Sequence, residues 1–217
     1  MVSLMESGSD SKLQPSKLIA QVRAGKETQL GELLTIYRNY LNVLANSQLD
    51  RKLRARVSPS DVVQETMLEA HRDFHQFRGS SEREFVGWLR QILVHNLARL
   101  IDRHVKAGKR DVRRDVPLAK LHVSCNRSAA NLEASLVDNQ QTPSMDAMQR
   151  ERAVLLADVM NDLSEDHREV LMLRNIRGLK FREVAENMER TEAATKMLWM
   201  RAIKRLREIC QERELGT

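Results

Sequence analysis

Apolar residues recur at three- and four-residue spacing along most of the chain, the period of amphipathic helices rather than of strands. Leu18, Ile19 and Val22 share one face of a short helix that starts at Ser16 and ends at Gly25. Leu30, Leu33, Leu34, Tyr37, Leu41 and Leu44 predict a longer helix over about 27–48. The next start is well marked. Ser58 is placed to cap, Pro59 suits the first helical position, and Asp61 favours the helix dipole. This helix is expected to reach Phe77, burying Val62, Val63, Met67, Ala70 and Phe74 and leaving Asp61, Gln64, Glu65, Glu69 and Arg72 outside. After the turn FRGSS, a long helix from Glu82 to Ala107 carries Phe85, Trp88, Leu89, Ile92, Leu93, Leu97, Leu100 and Ile101, with Gly108 able to end it.

The periodicity then fails between about 115 and 145, where Ser, Asn, Gln and Asp lie between Pro117 and Pro143. A flexible linker is expected there, with Leu132, Leu136 and Val137 allowing a transient helical turn. Helical patterning resumes at Ser144 and runs to Asp162. Ser164 offers a cap for the next segment, which Gly178 ends. Phe181 to Met188 is two turns long and is followed by the tight connection Glu189, Arg190, Thr191 and a helix from Glu192 to about Glu212. Short helix, tight turn and longer basic helix is the order of a helix-turn-helix. Residues 1–15, punctuated by Gly8 and Pro15, are expected to be a disordered tail.

Composition supports helices: 217 residues hold only 8 glycines and 4 prolines, and aromatics make up 4%. An all-α chain of two small helical domains follows, with almost no strand. The 36 Lys+Arg against 30 Asp+Glu leave a net charge of +6, which suits a polyanionic partner. Two stretches concentrate that charge. Residues 103–114 hold Arg103, Lys106, Lys109, Arg110, Arg113 and Arg114 against Asp111 alone, and 196–207 hold Lys196, Arg201, Lys204, Arg205 and Arg207 with no acid. Both read as phosphate tracks. Cys125 and Cys210 have no CxxC spacing, and no apolar stretch approaches spanning length, so a cytoplasmic protein is expected. His71 and His75 have a zinc-compatible spacing without a third ligand, and no nucleophile–base pair or phosphate loop is present, so no metal, cofactor or catalytic residue is expected.

LSEDHREVLMLRNIRGLKFREVAENMERTEAATKMLWMRAIKRLREI resembles region 4 of the sigma-70 superfamily of RNA polymerase sigma factors, in the extracytoplasmic-function (ECF) group. The matching positions are Arg168, Val170, Leu171, Leu173, Arg174, Gly178, Leu179, Glu183, Val184, Ala185, Ala194, Thr195, Lys196, Arg201 and Ala202. Lys180 stands where serine is usual, Glu189 where the turn glycine is, and Met197 to Met200 where a serine-arginine stretch is. The resemblance implies minus-thirty-five recognition by Arg190, Thr191, Glu192, Ala193, Thr195, Lys196, Arg201, Lys204 and Arg205, without giving the promoter sequence read.

SDVVQETMLEAHRDFHQFRG is similar to region 2 of the same superfamily at Asp61, Gln64, Glu65, Phe77 and Gly79. The resemblance implies docking of Asp61, Gln64, Glu65 and Glu69 on the clamp coiled coil of core RNA polymerase, with the flap as a second polymerase contact. FVGWLRQILVHNLARLIDRHVKAGKRDVRR is similar to the segments that open and read the minus-ten element, through Phe77, Trp88, Asn96, Arg99 and Arg103 and the basic cluster to Arg114. Asparagine comes eight residues after Trp88 rather than seven, which rotates it by about 100°, so either His95 or Asn96 occupies the base-reading position. Trp88 and Phe77 also read as core. WLRQIL and AGKRDVRR further suggest a planctomycete-type subgroup.

The expected organisation is a tail over 1–15, region 2 over 16–114, a linker over 115–145 and region 4 over 146–217, with no room for region 1.1 or region 3. Core RNA polymerase and promoter DNA are the implied partners, and a flexible linker also allows an anti-sigma factor to clamp both domains. The competing readings are a conventional helix-turn-helix regulator and a helical protein-binding adaptor.

Overall fold

A computed structural model describes residues 15–26, 28–49, 57–107, 118–134 and 145–215. Among them only helices and turns occur, in line with the period of the apolar positions. The order is α1 (Pro15–Arg23), α2 (Thr28–Ile36), α3 (Arg38–Gln48), α4 (Pro59–Asp73), a 3₁₀ turn (Phe74–Gln76), α5 (Glu82–Ala107), α6 (Leu118–Ala134), α7 (Met145–Asn161), α8 (Glu165–Leu171) prolonged by a π-helical segment (Met172–Ile176), α9 (Phe181–Met188) and α10 (Glu192–Leu215). Of the expected tail over 1–15, residues 1–14 lie outside the described residues and Pro15 instead opens α1, where it is buried.

Two helices stand where one is expected over 27–48, because the chain breaks at Tyr37. Its ring is buried against Phe85 and its hydroxyl donates to Glu82 Oε1 at 2.8 Å, so the break brings α2–α3 onto the start of α5. Leu33, Leu41, Leu44, Leu89, Leu93 and Leu97 fill the space between these helices, each stabilising the bundle by about 1.5–3 kcal/mol on burial. Ser58 holds the N-cap position of α4, but its hydroxyl pairs with that of Ser60 at 2.6 Å instead of capping, and Ser164 likewise makes no side-chain cap to α8. Asp61 and Pro59 are therefore what mark the start of α4.

The expected flexible linker is corrected over 118–134, while 115–117 and 135–144, with Leu136 and Val137, lie outside the described residues. Residues 118–134 form α6, whose Leu121, Cys125, Ser128, Ala129 and Leu132 are buried at near-regular helical spacing against α3, α5, α7 and the π segment. Gln48 Nε2 donates to Ser128 Oγ at 3.2 Å and Asn131 Nδ2 to the Ile176 carbonyl at 2.9 Å, which ties α6 to both halves. On its inner side Arg90 meets the Tyr40 hydroxyl at 3.2 Å and Glu133 at 3.8 Å. Burial pushes the Cys125 thiol up to about 11, so it is an inert packing group. Small and polar inward residues hid this helix from the hydrophobic pattern. The two halves also meet directly, where Asn39 Nδ2 donates to Asp158 Oδ1 at 2.8 Å.

Candidate nucleic-acid interface

Helix α4 presents two faces. Val62, Val63, Thr66 and Ala70 are buried, while Asp61, Gln64 and Glu65 are exposed. Leu68, 68% exposed, stands on the same outer side. Pattern reading missed it, although an apolar residue falling opposite the buried stripe of an amphipathic helix is the signal that finds it. Glu69 is half-buried and accepts from Arg99 of α5 at 2.6 Å. Arg99 also donates to Asn96 Oδ1, Asn96 Nδ2 donates to Thr66 Oγ1 at 3.2 Å, and the Thr66 hydroxyl donates to the Val62 carbonyl at 2.8 Å. A continuous polar network thus fixes the rotation of α5 against α4.

That network sets the two residues expected at the base-reading position apart by their exposure. Asn96 is 4% exposed with both ends of its amide engaged, so it positions helices. His95, one step round the helix, is exposed and lines up with Arg99 and Arg103 at four-residue intervals. Its ring stands edge-on to His122 of α6, centroids 5.7 Å apart. Phe77, which reads either as a DNA-facing or as a core residue, is buried with Phe74, Phe85 and Trp88, ring centroids 5.4 to 6.3 Å apart. Trp88 keeps part of its ring accessible. A Cβ on Gly79 would come within 2.5 Å of the Phe77 ring, which is why glycine follows that phenylalanine by two. Lys109, Arg110, Arg113 and Arg114 lie outside the described residues, as does the side chain of Lys106.

Above this cluster α5 begins on a complete capping box. Glu84 accepts from the Ser80 and Ser81 amides at 2.9 and 3.0 Å and from the Ser81 hydroxyl at 2.7 Å, while the Glu84 amide donates to Ser81 Oγ at 3.3 Å. The hydrogen bonds from Ser81 and Ser80 hold the Glu84 carboxyl down at about 2.

In the C-terminal half, Arg168 donates to the carbonyls of Met160, Asn161 and Leu163 at 2.9 to 3.1 Å, joining the end of α7 to α8. The π segment then turns Asn175 to accept from Trp199 Nε1 at 2.9 Å and Arg174 to donate to the Leu179 carbonyl at 2.7 Å, with its guanidinium 4.6 Å from the Phe181 ring. Val184 and Ala185 of α9 are buried as expected, and Met188 is partly buried. Glu189, standing where the turn glycine is usual, joins α9 to α10 in the left-handed conformation that favours glycine, φ 55° and ψ 44°.

Helix α10 sorts the expected minus-thirty-five residues. Thr195 is fully buried and its hydroxyl donates to the Thr191 carbonyl at 3.0 Å, so it packs the turn. Thr191 Oγ1 caps the helix by accepting from the Ala194 amide at 3.2 Å. Arg190 pairs with Asp166 at 2.7 Å, Lys196 with Glu192 at 2.7 Å, and Arg205 with Glu208 and Glu212 at 3.2 Å. Ala193, Lys196, Met197, Met200, Arg201 and Lys204 form one outward stripe.

The matches to known proteins follow this geometry. The model of sigma-70 region 2 matches residues 36–107, and that of sigma-70 region 4 matches residues 159–208, together more than half of the chain. The chain belongs to the sigma-70 superfamily of RNA polymerase sigma factors. Within it the chain is of the ECF type: over 179 residues, 82% of its length, it is 26% identical to the ECF RNA polymerase sigma-E factor of Haemophilus influenzae, 85% of which is covered. It is also similar to a chain in the structure of CnrH in complex with the cytosolic domain of CnrY, at 21% identity over 91% of this chain and 97% of that one, TM-score 0.34. A chain of the RsbN-BldN complex gives 20% identity over 88% and 98%, TM-score 0.31. Among the described residues no helix is long and apolar enough to cross a membrane.

Proposed function

We propose that this chain works in the cytoplasm as a promoter-specificity subunit, docking on core RNA polymerase through α4 and contacting promoter DNA through α5 and α10. Residues 16–114 are assigned to docking and the minus-ten element, and 146–217 to the minus-thirty-five element. The observation that carries the reading is the outward face of α4. Asp61, Gln64, Glu65 and Leu68 stand together in solvent with an apolar centre and a polar, acidic rim, the make-up of a protein-binding patch rather than a DNA-binding one. Glu69 supports it by anchoring Arg99. On α5, His95, Arg99, Arg103 and the accessible edge of Trp88 face promoter DNA, with the basic run to Arg114 on phosphates. Phe77 and Asn96 act by holding the aromatic cluster and the helix register. On α10, Lys196, Arg201 and Lys204 contact the duplex. An anti-sigma factor is an expected further partner.

The test is transcription in vitro with purified protein and bacterial core polymerase on a promoter library. New start sites that depend on the protein, lost on Gln64→Ala with Glu65→Arg, support the reading. Duplex binding without initiation and without core polymerase copurifying replaces it with a conventional regulator.

A further inference from the structure

We infer that the reading face of α10 recognises thymine through its C5-methyl group, with Met197 and Met200 as the specificity-determining residues. The inference deepens the assignment of α10 as the minus-thirty-five helix and rests on it. Met197 and Met200 are 51% and 58% exposed, whereas Leu198, Ala202 and Ile209 of the same helix are buried and Trp199, Ile203 and Leu206 pack against the core. The two methionines therefore lie opposite the core stripe. With Ala193 they stand at positions i, i+4 and i+7 of one line.

Charge on that line selects the occupant. Lys196, Arg201 and Lys204 flank the methionines on the exposed side, and Arg201 has no ion-pair partner among the described residues. An apolar strip bordered by cations suits a duplex, whose phosphates meet the cations while the strip enters the groove. The hydrogen-bonding side chains at the start of the helix are already committed. Thr191 caps, Thr195 is buried, and Glu192 is paired with Lys196. What remains at the centre is alkyl and thioether surface. In the major groove the apolar feature of a base pair is the thymine methyl, and its side of the groove tells T·A from A·T. The flexible, polarisable methionine side chain adapts to such a group.

The test first selects the upstream element from randomised duplexes with full-length protein and core polymerase. The selected promoter is then rebuilt with deoxyuridine for thymidine in that element alone, which keeps the pairing and removes the methyl. Open-complex formation by the wild-type chain is expected to fall about fourfold for each contacted methyl, the worth of one buried carbon. Met197→Ala with Met200→Ala should bring the thymine promoter down to the uracil level and abolish the difference, and Met197→Leu should retain it. The inference is overturned by a selected element without thymine, by no loss on the uracil swap, or by full methyl sensitivity in the double variant. Loss of activity by the double variant on promoters stripped of the upstream element would also overturn it, by placing a protein on this face. Selection of no upstream element at all removes the minus-thirty-five assignment, and the inference with it.

Discussion

Helices α5 and α9 start on the same three-residue spacing, Ser81 to Glu84 and Lys180 to Glu183, yet only the first closes a full capping box. Both glutamates reach back to the amide three residues earlier, at 3.0 and 2.7 Å. Ser81 returns the bond from its hydroxyl, whereas the ammonium of Lys180 holds donors only and leaves the forward half unmade. The same contrast extends further. The region 2 half places glycine where the backbone runs close to Phe77 and links α4 to α5 by a buried network. The region 4 half carries glutamate at a left-handed turn and arranges its charges as surface pairs along α10. The start of α5 is held by mutually satisfied groups, while the start of α10 leans on packing of Trp199 against Phe181 and on the bond from Trp199 to Asn175 of the π segment.

The largest effect is expected at the helix that joins the halves. Leu132→Ala, at a fully buried site on α6, should cost about 2–5 kcal/mol in denaturant unfolding and open 118–134 to protease. An unchanged midpoint would mean that the halves stand without α6. Next, Gly79→Ala forces a methyl into the Phe77 ring and should destabilise region 2 by about 1–3 kcal/mol, seen as a lower thermal midpoint. In region 4 the direction reverses. Glu189→Gly should stabilise by about 1 kcal/mol, because glycine takes the left-handed turn without the Cβ clash. Lys180→Ser should restore the missing half of the box and add about 0.5–1 kcal/mol, and a crystal structure of the variant should show the new hydroxyl contact.

The smallest effect tests the Ser81–Glu84 box by pH. Glu84 is held at about 2 in the folded chain against an ordinary value near 4.5, so its contribution is complete above about pH 4.5 and is lost as pH falls toward 2. Wild type and Glu84→Gln should therefore differ in stability above pH 4.5 and converge below it.

Much of this was legible in the sequence because helices are local. The period of the apolar residues and the Pro59 start place the helices to within a few residues, and the 181–188, 189–191, 192–212 pattern marks the helix-turn-helix. The outer residues of α4 follow from the same period, since those not on the buried stripe face out. Site residues were less legible. Asn96, Thr195 and Phe77 share types and spacing with DNA-contacting residues, and only the neighbours they meet, Thr66, the Thr191 carbonyl and the Phe74–Trp88 cluster, turn them inward.

The sequence by itself determined the order of most of the described helices, the class of partner and the two basic stretches, because period, the Pro59 start and charge are written residue by residue. Tertiary structure alone decided that 118–134 is a packed helix, that α2 and α3 break at Tyr37, that His95 rather than Asn96 is outward, and that Glu189 turns left-handed. The first three depend on which distant side chain fills the space beside them: Gln48 beside Ser128, Glu82 beside Tyr37, Thr66 beside Asn96. No short window along the chain contains both partners of any of these three pairs.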